Sequence, residues 1–107
     1  MKIGYYNTWI FDLDNTLYSA ETGIFDQVEK LMGEFICKHL KLEPPEAKII
    51  QKKYFKKHGT TLRGLMDNHG IEPETFLNEV HKLDYSIIEP DINLKSALQK
   101  INGKKII

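Results

Sequence analysis

Trp9-Ile10-Phe11-Asp12-Leu13-Asp14-Asn15-Thr16-Leu17-Tyr18 decides how this chain reads. Trp9, Ile10 and Phe11 favour a β-strand, and an unbroken apolar run suits a strand covered on both faces. Asp, Asn and Thr then break the pattern and mark a loop. Two carboxylates, Asp12 and Asp14, are therefore expected just past the carboxyl end of a buried strand. In open α/β sheets that is where ligands bind. Strand alternation would send both side chains the same way. Carboxylates held close repel unless a cation lies between them. The pair thus reads as a hard-metal site of oxygen ligands, as a nucleophile with a neighbouring acid/base, or as a polar turn.

Outward from this stretch the pattern becomes helical. From residue 22 to about 41, Ile24, Phe25, Val28, Leu31, Met32, Phe35, Ile36 and Leu40 recur at three- and four-residue steps. Thr22 is the expected N-cap, and Gly33 is expected to permit close approach of another helix. Pro44-Pro45 should stop this helix and open the next, from about 45 to 57, with Gly59 closing it. That second helix carries Ala47, Ile49, Ile50, Tyr54 and Phe55, with Lys48, Lys52, Lys53, Lys56 and Lys57 as a solvated face. Thr60 or Thr61 can cap a short helix ending near His69 and Gly70. Pro73 opens another, to about 82, with Phe76, Leu77 and Val80 inward. A last helix over about 91–101 uses Ile92, Leu94, Ala97, Leu98 and Ile101. Asn102-Gly103 ends it, and Lys104-Lys105-Ile106-Ile107 opens a second strand.

Totals set the outer bounds. The 107 residues make one domain's worth of chain, with 15 basic against 15 acidic residues. Balanced charge provides no global field for nucleic acid or an anionic membrane, so neither is expected as a partner. A single cysteine, Cys37, excludes an internal disulfide and is expected as a buried thiol. No apolar run approaches the ~20 residues of a membrane span. Residues 1–7 lack the apolar core of a signal peptide, so a cytoplasmic protein is expected. His39, His58, His69 and His81 have no metal-ligand spacing and read as helix-surface or helix-terminal residues.

The strand followed by Asp-x-Asp-x-Thr resembles the first motif of the haloacid dehalogenase-like (HAD) superfamily. That resemblance implies an α/β, Rossmannoid core with an α-helical cap inserted after the first motif. Residues 1–20 would be the first strand and motif loop, 21–90 the cap, and 91–107 a core helix and the start of a second strand. The chain would then be the N-terminal portion of such an enzyme, mostly α as it stands. Leu17-Tyr18, Tyr54, Gly59-Thr60-Thr61-Leu62-Arg63-Gly64-Leu65, His69-Gly70-Ile71, His81, Asp84-Tyr85-Ser86 and Pro90-Asp91 resemble the pyrimidine 5′-nucleotidase branch.

By this resemblance Asp12 is the nucleophile that accepts a phosphoryl group, and Asp14 is the acid/base. Mg²⁺ would be bound by the Asp12 carboxylate and the Asp14 backbone carbonyl. An acid at position 14 implies phosphatase rather than dehalogenase chemistry. The substrate would be a phosphorylated small molecule, a nucleoside 5′-monophosphate or sugar phosphate, touched by Arg63, Thr16 and Tyr18. Arg63 also reads as a surface arginine, and Tyr18 as a residue that packs at the hinge. The superfamily's later motifs are not in these residues, so the isolated chain is expected to be inactive and a second chain could supply the rest. A non-catalytic helical interaction module, or a degenerate remnant of the enzyme, is the alternative.

Overall fold

The computed structural model describes residues 5–107. Residues 1–4, more than half of the stretch read for a leader, lie outside the described residues. The chain divides into two compact units, one of Met1–Gly23 with Tyr85–Ile107 and one of Ile24–Asp84.

The first unit contains β1 (Thr8–Ile10), a 3₁₀ turn at Ala20–Thr22, another at Tyr85–Ile87, helix α5 (Ile92–Lys100) and β2 (Lys104–Ile106). The strands pair in parallel, with Thr8 opposite Lys104 and Ile10 opposite Ile106. Flanking backbone bonds extend the ladder: Lys104 N–H donates to the Asn7 carbonyl and Phe11 N–H to the Ile106 carbonyl, each at 2.8 Å. Trp9 Nε1 donates to the Asn102 carbonyl at 3.1 Å. A parallel pair needs a long crossover, and everything between Ile10 and Lys104 provides it.

Two-sided burial of the first strand is not what the structure shows. Ile10 is 79% exposed and Trp9 and Phe11 are half-buried. Within the first unit, two strands and one helix give β1 only partial cover. α5 likewise has no buried residue, and Ile92, expected inward, is 79% exposed. Its start follows the sequence: the Asp91 carboxylate accepts the Leu94 N–H at 3.0 Å, an N-cap bond.

The second unit is helical: α1 (Ile24–Leu40), α2 (Pro44–His58), α3 (Thr61–His69) and α4 (Pro73–Val80). Phe35, Ile36, Ala47, Tyr54, Leu65, Phe76 and Val80 form its core. Burying each large apolar side chain contributes roughly 1.5–3 kcal/mol before entropy is set against it. Phe35 meets Phe76 edge-on, with ring centroids 5.1 Å apart.

Local chemistry explains most helix ends. Thr60 caps α3, its hydroxyl accepting the Arg63 N–H at 3.0 Å. Thr61 is buried instead and donates to the Gln51 carbonyl at 3.1 Å, tying α3 to α2. Gly70, at φ 64°, closes α3 in the left-handed conformation glycine tolerates. Among the described residues no helix is long and apolar enough to cross a membrane.

Several expectations fail for identifiable reasons. Thr22 does not cap α1. It ends a 3₁₀ turn, its hydroxyl donates back to the Ser19 carbonyl at 2.8 Å, and Gly23 at φ 97° separates it from the helix. Lys41, at φ 56°, ends α1 before the prolines, with Leu42 N–H donating to the Cys37 carbonyl. Ile49 and Phe55 are 66% and 61% exposed, and Leu77 is 42% exposed. Gln51 and Thr61 occupy buried positions in α2 and α3 instead. Gly33 has only ordinary room above it, 3.8 Å to Gln51 Oε1; the close approach is at Gly64, against Tyr54. Cys37 is half-buried beside the core.

Candidate active site

The motif loop begins where β1 stops. Strand hydrogen bonding ends with Phe11, so strand alternation does not orient Asp14. The chain instead closes a turn: Thr16 N–H donates to the Leu13 carbonyl at 3.2 Å and Leu17 N–H to the same carbonyl at 3.0 Å. Asn15 takes a left-handed φ of 55°, a conformation its short polar side chain tolerates. Its Oδ1 accepts the Ala20 N–H at 3.0 Å and fastens the far side of the loop.

Within this turn the two aspartates acquire different surroundings. The Thr16 hydroxyl lies 3.1 Å from Asp12 Oδ2 and 3.5 Å from the Asp14 backbone carbonyl. One hydroxyl is therefore shared between the Asp12 carboxylate and the Asp14 carbonyl. The Asp14 carboxylate goes elsewhere: Tyr18 donates its hydroxyl to Asp14 Oδ1 at 2.6 Å. That hydrogen bond, with desolvation and the negative charge of Asp14, pushes the Tyr18 phenol from 10.0 up to about 12.

The donor set fits a hard cation in kind. A carboxylate and a carbonyl oxygen are what Mg²⁺ selects, the remainder of its octahedron being water and substrate oxygens. Among the described residues no group of three or more His, Cys, Asp or Glu side chains could hold a metal by itself. Asp12 with the Asp14 carbonyl could supply only part of a ligand set.

Asp12, Asp14, Thr16 and Tyr18 fall together in the first unit. Arg63 belongs to the helical unit, on the first turn of α3. Its Nε pairs with Asp67 Oδ2 at 3.3 Å, and His58 Nδ1 meets the same oxygen at 3.5 Å. The guanidinium is 62% exposed along its side chain, so the pair contributes little to stability. Thr16, expected at the substrate, is engaged with the motif itself. Sequence reasoning missed the Tyr18–Asp14 bond. The available signal was an i, i+4 spacing across a turn-forming Asn.

No known protein-family profile matches the chain. Phosphate metabolism protein 8 of Saccharomyces cerevisiae is 28% identical over an alignment of 103 residues that takes in 92% of this chain. The chain spans 32% of that relative's length. Nearly all of this sequence, motif loop and helices alike, is therefore similar to part of a protein named for phosphate metabolism.

Proposed function

We propose that this chain carries the nucleophile loop and helical cap of a Mg²⁺-dependent HAD phosphatase that hydrolyses nucleoside 5′-monophosphates. The observation that carries the reading is the asymmetry of the aspartates. The Asp12 carboxylate shares the Thr16 hydroxyl with the Asp14 carbonyl, whereas the Asp14 carboxylate accepts from Tyr18. Two carboxylates with different hydrogen-bond partners suit a nucleophile and an acid/base. Similarity to a protein named for phosphate metabolism supports the same chemistry.

Asp12 Oδ1, the oxygen not bonded to Thr16, attacks phosphorus. The bond from phosphorus to the ester oxygen breaks, and Asp14 gives that oxygen a proton. A water molecule, deprotonated by Asp14, then attacks the aspartyl-phosphate. The Asp12–phosphorus linkage breaks and inorganic phosphate leaves. Bound Mg²⁺ would offset the charge on the transferring group. Transfer depends heavily on such positive charge, and no Lys or Arg is bonded to Asp12 or Asp14 among the described residues. Further cationic groups belong to the complete site, and the chain alone is expected to give background turnover.

The test is phosphate release from an aryl phosphate and a panel of nucleoside monophosphates. Residues 1–107 are assayed with Mg²⁺, alone and mixed with a chain that supplies the remaining HAD motifs. Mg²⁺-dependent release in the mixture, abolished by Asp12→Asn, is expected. Release that ignores both Mg²⁺ and that substitution rejects the proposal. A second reading, a non-catalytic helical interaction module, is favoured by one observation: every fully buried side chain described lies in the helical unit. It predicts partner binding unaffected by Asp12→Ala or Mg²⁺.

A further inference from the structure

We infer that Tyr18 is a positioning residue: its hydroxyl holds Asp14 Oδ1, fixing the carboxylate in one rotamer with Oδ2 presented for proton transfer. This rests on the reading of Asp14 as acid/base. The geometry is built by the chain itself. The bonds from Thr16 and Leu17 N–H to the Leu13 carbonyl close a turn in which Asn15 is left-handed. That turn brings the residue 18 side chain back to residue 14. The hydroxyl-to-carboxylate distance of 2.6 Å is that of a strong charge-assisted bond.

The ring has apolar surroundings of its own. It is half-buried and forms part of the wall of a cavity of about 740 Å³, together with Leu17, Ile87, Leu94 and Leu98. Thr16 cannot take over, because its hydroxyl is occupied by Asp12 Oδ2 and the Asp14 carbonyl. An acid/base must hold its oxygen within hydrogen-bond reach of the proton it moves. An exposed aspartate with free χ angles would spend much of its time outside that reach. The inference reassigns Tyr18 from a substrate contact to a part of the proton-transfer apparatus.

Tyr18→Phe keeps the ring and deletes only the hydroxyl. The direct readout is the pair of Hα–Hβ scalar couplings of Asp14 in the 107-residue chain, with far-UV circular dichroism confirming the fold. Unequal couplings of a single rotamer are expected in the unmodified chain, and averaged couplings in Tyr18→Phe. In the complemented phosphatase assay, Tyr18→Phe should lower kcat about tenfold, a fraction of what general acid/base catalysis supplies. KM should stay unchanged, because no substrate contact is lost. Averaged Asp14 couplings in the unmodified chain, or couplings that Tyr18→Phe leaves alone, would overturn the inference. So would a rise in KM at constant kcat, which would return Tyr18 to the substrate. Absence of turnover in the complemented, unmodified protein counts against the acid/base reading alone, and the couplings still decide Tyr18.

Discussion

Two glycines in the helical unit should respond oppositely to the same substitution. Gly33 sits in α1 with Gln51 Oε1 3.8 Å from where a methyl would go, an ordinary contact. Replacing glycine by alanine inside a helix removes backbone freedom from the unfolded chain and gains about 1 kcal/mol. Gly33→Ala should therefore be neutral or stabilising by up to about that amount. Gly64, in α3, lies under the root of Tyr54. An added methyl would fall inside the van der Waals reach of Tyr54 Cβ and Cγ, and 2.9 Å from Cδ2. Cβ is fixed by the α2 backbone, so no rotation of the side chain can clear it. Relief would require α2 and α3 to separate, straining the Thr61 hydroxyl bond to the Gln51 carbonyl and the 2.6 Å contact between Tyr54 Oη and His69 Nε2. Overpacking of this kind typically costs about 1–3 kcal/mol. Set against the propensity gain, Gly64→Ala should lose up to about 2 kcal/mol. In a domain of this size that lowers Tm by roughly 4–8 °C per kcal/mol. Thermal melts of the three proteins at neutral pH, followed by circular dichroism, measure it. A Gly64→Ala protein melting at or above Gly33→Ala would refute the close-packing argument.

Two further outcomes concern pH. Tyr18 should titrate near 12 rather than 10.0, and Asp14→Asn should bring it back toward 10.0 by removing the charged acceptor. Because the folded value is the higher one, the bond's stabilisation is present below pH 10.0 and is lost as pH rises through about 12; tyrosinate absorbance, with Tyr18→Phe subtracted, follows it. Glu79 is lowered from 4.5: desolvation pushes it up, but Lys38 and the hydrogen bonds from His39 and Lys38 outweigh that. Its contribution is thus present above pH 4.5 and disappears as acid takes the pH below that value, and Lys38→Met should flatten this part of the stability profile.

The elements that the sequence announces are those governed by local chemistry. Pro44, Thr60, Gly70, Pro73 and Asp91 mark helix ends because capping acts within a turn. Which residues face inward depends on how helices meet, and there periodicity misleads. Ile49 and Phe55 fit an apolar stripe yet stand in solvent, while Gln51 and Thr61 are drawn inward where α2 and α3 touch. The site divides the same way. The Asp12–Thr16 arrangement follows from a motif a few residues long. The Tyr18–Asp14 bond needs Asn15 in the left-handed region, a backbone choice that spacing alone does not dictate.

The chain has one tryptophan, and it sits in β1 with its indole N–H on the Asn102 carbonyl across the strand pair. Far-UV dichroism, by contrast, is dominated by helices, most of them in Ile24–Asp84. The two optical signals of this protein therefore watch different parts of it. Indole fluorescence is a native reporter for the strands beside the motif, and ellipticity is one for the helical scaffold. Any ligand that orders the Asp12 loop should register first in the light emitted by Trp9.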